Sequence, residues 1–179
     1  MTNNVLHIIP QIMKLQYAFL FLFLAALTSC TSPSIQEEEA LFENDDTSIE
    51  SVEVNASSIE NEILDAVNAH REEMGLTKLA FSNEAYKYAE EHNDYMIAKG
   101  KISHDNFNER ASKLANATGA TVVKENVAKN YPKAEQAMNG WLNSQSHKNT
   151  IEGDFTHTTI SVKADDKGKL YYTQLFFKK

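Results

Sequence analysis

The sequence predicts an α+β fold, with helices packed on a small antiparallel sheet. Between residues 58 and 142, apolar side chains recur mostly at helical spacing. After residue 157 the period changes, because Thr158–Val162 alternates and Leu170–Phe177 is partly aromatic and β-branched, as is typical of strands. Helices followed by strands are the pattern of an α+β domain.

The first two predicted helices have clear start and stop signals. Ser57-Ser58-Ile59-Glu60 has the form of a capping box, and Gly75 supplies the stop of the helix that follows. Ser82 caps the second helix, and Gly100 lies just beyond its end. Helix 1 is therefore expected to end near residue 75, and helix 2 near residue 100.

Two more helices and three strands complete the prediction. A third helix is expected from about residue 106 to 117 with Asp105 as its cap, and a fourth opens at Pro132. The stretch Asp165–Gly168 is a turn that joins the last two strands into a hairpin. Residues 121–123 form a further candidate strand. Trp141 and the aromatic residues of the last strand are expected to lie in the core.

The N-terminus has the pattern of a secretory signal, predicted over residues 1–29. Lys14 precedes an apolar run, Leu15–Leu27, which is shorter than the about 20 residues that span a bilayer. The run ends in Leu27-Thr28-Ser29-Cys30, which resembles the lipobox of a bacterial lipoprotein. Cys30 is the only cysteine. We therefore expect lipid at Cys30, membrane anchoring, and a place in the cell envelope as an outer-membrane or cell-surface lipoprotein.

Residues 30–57 form a separate, acidic stretch, which is expected to be a disordered tether. It contains eight acidic residues and no lysine or arginine. The net charge of the whole chain is −8, but residues 58–179 carry 16 basic and 17 acidic residues. The predicted domain is nearly neutral, and its charge gives no indication of nucleic-acid binding.

Two histidines and one glutamate on three separate segments are the candidate site. They are His104, Glu125 and His147. Two imidazoles and a carboxylate can hold Zn²⁺ and leave a fourth position for water, which a metal would activate for hydrolysis. Glu125 could instead orient one histidine, or the three residues could form a structural hydrogen-bond network. The residues alone leave these alternatives open.

The segments around these residues resemble the CAP superfamily of cysteine-rich secretory, antigen five and pathogenesis-related proteins. The resemblance is to its shorter bacterial branch, the SCP domain, and covers about residues 58–177. It rests on seven segments in the family's order and spacing: Val67–Arg71, Gly75–Leu79, Ala89–Met96, Ser103–Asp105, Glu125–Ala128, Trp141–Ser144 with His147–Asn149, and Phe155–His157 with Tyr172–Phe176.

The resemblance implies an α-β-α sandwich with a cleft of up to two histidines and two glutamates. His104, Glu125 and His147 match three of these, and Ser144 stands near the place of the second glutamate. Two further departures are Lys124 before Glu125 and Ser161 in the penultimate strand, where the family has glycine. This three-residue site, with the adjacent Asn126, is the cleft that we expect to bind a ligand.

Three other histidines lie outside the predicted trio of site residues. His70 and His92 lie on apolar helix faces and are expected to be core residues with satisfied hydrogen bonds. His157 begins a strand close in sequence to the cleft segment, so it is a reserve ligand.

The sequence thus predicts a lipid-anchored, extracytoplasmic CAP/SCP-domain protein that binds a metal, with Zn²⁺ as the candidate, or a small hydrophobic or peptide ligand. No reaction is assigned to it. The first alternative is a metal-dependent, peptidase-like hydrolase that uses the same cleft. The second is a surface interaction protein whose cleft is vestigial. The range of ligands follows from the resemblance, and the protein partner is unknown.

Overall fold

A computed structural model describes residues 55–179. The predicted signal at 1–29, Cys30 and nearly all of the predicted tether at 30–57 lie outside these residues. Within 55–179 no helix is long and apolar enough to cross a membrane. The elements in chain order are α1 (Ala56–Glu73), β1 (Ala80–Phe81), α2 (Asn83–Lys99), α3 (Phe107–Thr118), β2 (Val122–Lys129), α4 (Ala134–Asn143), α5 (Gln145–Ile151), β3 (His157–Ala164) and β4 (Leu170–Lys178).

The strands form one sheet in the order β1-β3-β4-β2. The β3–β4 hairpin is antiparallel, as predicted, and its turn closes where the Gly168 N–H donates to the Asp165 carbonyl. Strand β2 pairs antiparallel with β4. The sequence did not predict β1, which pairs with β3 in parallel and makes the sheet mixed. Two residues are too few to show a period, and β1 is defined by backbone hydrogen bonds to residues 156 and 158.

Helices cover both faces of the sheet, so the predicted α-β-α sandwich is confirmed. On one face, α2 and α3 pack against Leu175 and Phe177 of β4. On the other face, Trp141 of α4 meets the ring of Tyr172 edge-on, with 6.5 Å between the ring centroids. Alternate residues of a strand point to opposite faces, so Leu175 and Phe177 lie on one face of β4 and Tyr172 lies on the other. The sheet is therefore the middle layer.

The caps of α2 confirm the prediction, whereas the cap of α1 differs from it. Ser82 accepts from the Ala85 N–H, and Gly100 ends α2 in the left-handed region at φ 71°. Helix α1 starts at Ala56, and its cap is Asn55 rather than Ser57. The predicted capping box fails because Ser57 lies inside the helix, where the side chain of Asn55 accepts from the Ser58 N–H, and because the Glu60 carboxylate has other partners.

Glu60 instead joins α1 to the sheet. Its Oε1 accepts from the Tyr86 hydroxyl and from the Val162 backbone N–H, each at 2.8 Å. Burial raises the pKa of Glu60, and burial together with this hydrogen bond raises the pKa of Tyr86 to about 12. The carboxylate thus satisfies a backbone donor on β3.

The second half of the helical region also departs from the prediction in detail. Helix α3 begins after Asn106, which has φ 59° and makes no capping hydrogen bond through its side chain, so Asp105 is not the cap. Helix α4 begins at Ala134, two residues after Pro132. The segment 145–151 forms α5, a separate helix that the sequence did not predict, because the extended backbone of Ser144 interrupts the helical pattern. Trp141 and the aromatic residues of β4 are buried, as predicted.

Candidate functional site

The centre of the candidate site is the carboxylate of Glu125 on β2. Its side chain has no exposed surface. Arg110 of α3 binds it with two parallel hydrogen bonds, from Nε to Oε2 and from Nη2 to Oε1, each 2.8 Å long. The Nη1 atom of the same guanidinium donates to the Asp105 carbonyl at 3.2 Å. A forked arginine–carboxylate pair is a strong and directional contact. Glu125 is therefore held as a neutralised ion pair.

Two histidines flank this pair. Nδ1 of His104 lies 2.9 Å from Oε1 of Glu125. Because an arginine-bound carboxylate accepts hydrogen bonds, we assign the proton of this contact to Nδ1. Nε2 of His92 donates to the Ser103 carbonyl at 2.7 Å and lies 3.7 Å from Oε1 of Glu125. His104 is 32% exposed at its side chain, whereas His92 is buried. Only His104 of these two histidines faces solvent.

Asn126 and His147 are anchored from the other face of β2. Asn126 follows Glu125 in the strand, so its side chain points to the opposite face. There its Nδ2 donates to the backbone carbonyl of His147 at 3.2 Å. His147 is buried on α5. The described contacts thus bring His104 to Glu125 and tie the backbone of His147 to Asn126.

Ser144 lies where α4 ends and α5 begins, and its described side-chain contact is with another serine. It is buried at the junction of α4 and α5, and its Oγ lies 3.3 Å from Oγ of Ser146. A serine hydroxyl cannot replace the second carboxylate as a base, since it carries no negative charge at neutral pH.

A groove between α2 and α3 leads to the ion pair. Its volume is about 180 Å³, and buried His92 and Arg110 are among the residues that line it. Tyr95 stacks on His92 with 5.9 Å between ring centroids and donates to Asp105 at 2.8 Å. The remaining lining residues are Tyr88, Glu91, Asn106, Glu109 and Lys113. The groove therefore combines aromatic surface with a charged rim.

Burial and hydrogen bonding set the electrostatics of the groove. Burial lowers the pKa of His92, against the opposing effect of the Glu125 charge, so this imidazole is neutral at neutral pH. The hydrogen bond from Tyr95 lowers the pKa of Asp105. The site thus contains one neutral buried imidazole beside a buried ion pair.

The predicted zinc ligands do not fit a zinc site in this arrangement. Within residues 55–179 no group of three His, Cys, Asp or Glu side chains is placed to hold a metal ion. Glu125 accepts from Arg110 on both oxygens and from His104 on Oε1, so these contacts use most of its roughly four acceptor positions, and a cation lies beside both oxygens. Zinc binding by His104, Glu125 and His147 stays a prediction that the geometry does not favour.

The other histidines lie elsewhere. His70 is partly exposed and bonds Oε1 of Glu152 at 2.9 Å, so it is not the core residue that we predicted. His157 stacks on Phe177, and its Nδ1 lies 2.7 Å from the Thr156 hydroxyl. His92 is buried as predicted, but it belongs to the site as well.

Arg110 was not among the site residues predicted from the sequence. Together with Leu114, four residues later, it forms the buried face of α3. A cation in an apolar helical stripe indicates a buried partner, because charged residues are almost never fully buried unless paired. This signal was available in the sequence, although it does not identify Glu125 as the partner.

Comparison with known proteins places residues 64–176 in one family model, described as the CAP, cysteine-rich secretory protein family. The membrane protein YlbC of Bacillus subtilis (strain 168) is 32% identical over 124 residues, which cover 67% of this chain. The chain spans about a third of the length of that relative, 34%.

Two solved structures have a similar fold. An outer surface protein from Borrelia burgdorferi has a TM-score of 0.64 at 19% identity, covering 70% of this chain and 96% of its own. An extracellular protein containing a SCP domain from Bacillus anthracis has a TM-score of 0.61 at 26% identity, covering 74% of this chain and 45% of its own.

Proposed function

The chain belongs to the CAP, cysteine-rich secretory protein family, and from that premise we propose that it is a lipid-anchored, extracytoplasmic binding protein of the bacterial cell envelope. Lipid on Cys30 would hold it to the membrane, and the acidic stretch of residues 31–57 would separate the domain from that membrane. The sequence Leu27-Thr28-Ser29-Cys30 supports the anchor. The relatives named as a membrane, an outer surface and an extracellular protein are in keeping with this location.

The anchor can be tested by replacing its attachment atom. Cys30→Ser should abolish labelling by a radioactive fatty acid and move the protein from the detergent phase to the aqueous phase of a phase-separation assay. Ser32→Ala, two residues further on, is the matched control and should remain labelled. Equal labelling of the Cys30→Ser variant would disprove anchoring at this residue.

The domain itself is proposed to bind a small hydrophobic or peptide ligand without cleaving it. The observation that carries this proposal is the double hydrogen bond from Arg110 to Glu125, which occupies both carboxylate oxygens. A general base must reach the proton it removes and have room to accept it. Glu125 has no exposed surface and lacks such room, whereas partly exposed His104 and the groove beside Tyr95 offer contact surface.

A peptide library separates binding from hydrolysis. The full chain in detergent is incubated with the library in the presence and absence of a chelator, and the products are read by mass spectrometry. We expect intact peptides in both samples. Cleavage that disappears with the chelator and in His104→Ala would favour the metal-dependent hydrolase instead.

The groove can be probed with the apolar dye 1-anilinonaphthalene-8-sulfonate. Its fluorescence should rise with the wild-type protein, and Tyr95→Ala should reduce that rise at least twofold, because it removes one aromatic wall. Phe81→Ala is the control, since Phe81 is an exposed ring on edge strand β1. An equal reduction in both variants would show that the dye does not report on the groove.

A further inference from the structure

The contact between Arg110 and Glu125 has a consequence for metal ions. The guanidinium is a permanent cation, and its Nε and Nη2 atoms each donate to one oxygen of the carboxylate. Its position is fixed by a third hydrogen bond, from Nη1 to the carbonyl of Asp105. The guanidinium is buried, with 8% exposure, so solvent does little to screen its charge.

A divalent ion bound at Glu125 would have to share the carboxylate with this cation. Two positive charges a few ångströms apart repel each other, and the repulsion is stronger beside the largely buried Arg110 and Glu125 than it would be in bulk water. The hydrogen bonds that Glu125 already accepts from Arg110 and His104 leave little of the carboxylate for such an ion. Metal binding and the fork therefore compete for the same two oxygens.

We propose that Arg110 is a built-in cation that occupies the electrostatic place of a metal and closes this cleft to divalent ions. A bound metal often fixes the orientation of a histidine ring. Here the ion pair does so, because Oε1 of Glu125 lies 2.9 Å from Nδ1 of His104. His104 is thus oriented by an arginine–carboxylate pair that needs no cofactor. Arg110 is a positioning residue in this scheme.

The proposal predicts that removing the cation opens a metal site. The protein is the tag-free chain without its signal, carrying Cys30→Ser, so that neither lipid nor thiol contributes and the result does not depend on the proposed anchoring or ligand. Zinc is titrated by calorimetry into four forms: wild-type domain, Arg110→Met, Arg110→Lys, and Arg110→Met with His104→Ala. Circular dichroism checks that each form is folded.

We expect the wild-type domain to show no zinc binding that depends on His104. The Arg110→Met variant should bind zinc at least tenfold more tightly than the wild-type domain does. The gain should vanish in the double variant, and Arg110→Lys should show none, since lysine keeps the charge. Tight zinc binding by the wild-type domain that His104→Ala removes would overturn the proposal. A folded Arg110→Met protein without any gain would overturn it as well.

A second measurement covers the case in which Arg110→Met does not fold. Ring ¹⁵N NMR of the wild-type domain should show the proton of His104 on Nδ1. The spectrum should be the same with a chelator and with excess zinc. A zinc-dependent shift or tautomer change at His104 would refute the proposal without any variant.

Discussion

Two buried arginines, Arg71 and Arg110, have similar exposure and different partners. Arg71 is 2% exposed and donates to backbone carbonyls of Thr77, Ile151 and Gly153 at 2.9, 2.7 and 2.9 Å, and to that of Phe155 at 3.4 Å. Arg110 is 8% exposed and binds mainly a carboxylate.

The type of acceptor distinguishes the two arginines: Arg71 has a structural role, and Arg110 belongs to the candidate site. Arg71 ties the end of α1 to the loop after α5, and burial lowers the pKa of its guanidinium while Asp154 partly opposes the effect. Arg110 instead neutralises a side chain that also contacts the partly exposed His104. A buried arginine that binds carbonyls stabilises a chain path, whereas one that binds a carboxylate can also position a neighbouring functional group.

The largest expected effect is the loss of Arg71. Arg71→Met should lower the free energy of unfolding by about 4 kcal/mol, because each buried acceptor left without a donor costs roughly 1–3 kcal/mol. Urea unfolding of the Cys30→Ser chain measures the change. Lys78→Met is the control, because Lys78 forms an exposed pair with Glu72 and should change stability by less than about 1 kcal/mol. A similar loss in both variants would contradict the structural role of Arg71.

The next effect distinguishes the two arginines directly. Arg110→Met should cost about 3 kcal/mol, because it leaves the buried charge of Glu125 uncompensated. The double variant Arg110→Met with Glu125→Leu should recover most of that loss, since both members of the pair are then apolar. Arg71 has no comparable rescue, because its partners are backbone groups. Additive losses in the double variant would show that the pair is not an energetic unit.

A smaller effect concerns pH. The pKa of His92 is lower in the folded state, chiefly through burial. As the pH falls, His92 therefore takes up a proton in the unfolded chain before it does so in the folded protein. The free energy of unfolding should decrease as the pH falls from the unfolded-state pKa of His92 to its lower folded-state pKa. One group contributes at most about 1.4 kcal/mol per pH unit. Urea unfolding between pH 7.5 and 5 should show a shallower dependence for His92→Gln, and an unchanged slope would refute the assignment.

The smallest effect belongs to the exposed ion pair on α3. Glu109 binds Lys113 at 2.8 Å, and both side chains are more than half exposed. Glu109→Gln should change the free energy of unfolding only slightly, because solvent screens an exposed helical pair. Thermal unfolding measures it beside Arg110→Met on the same helix. A loss close to that of Arg110→Met would mean that burial does not explain the difference between the pairs.

Local signals predicted much of the fold. Ser82, Gly100 and the turn at 165–168 act within a few residues of themselves, so their effects were readable from the sequence. Strand β1 was not, because it depends on residues 156–158, far along the chain. The cap of α1 was misplaced at Ser57 although Asn55 is also a local signal, and only the contact of Glu60 with Val162 was beyond local reading.

The site was only partly readable for the same reason. The resemblance identified His104 and Glu125, and their contact is present at 2.9 Å. The cation that neutralises Glu125 comes from a helix 15 residues earlier in the chain, and only the packing of α3 on β2 brings it there. The contacts of His147 with the opposite side of β2 likewise follow from tertiary structure.

The hydrogen bond from the Val162 N–H to the Glu60 carboxylate matters where many copies of the protein lie close together. Under the proposed lipid anchoring, many copies share one membrane and meet at high local concentration. An unpaired amide at the margin of a sheet invites the backbone of a neighbouring copy to add on, which is a route to aggregation. Strand β1 pairs only with His157 and Thr158 of β3, and further along β3 the amide of buried Val162 is satisfied by Glu60 of the same molecule, so it is no open donor for a neighbouring copy.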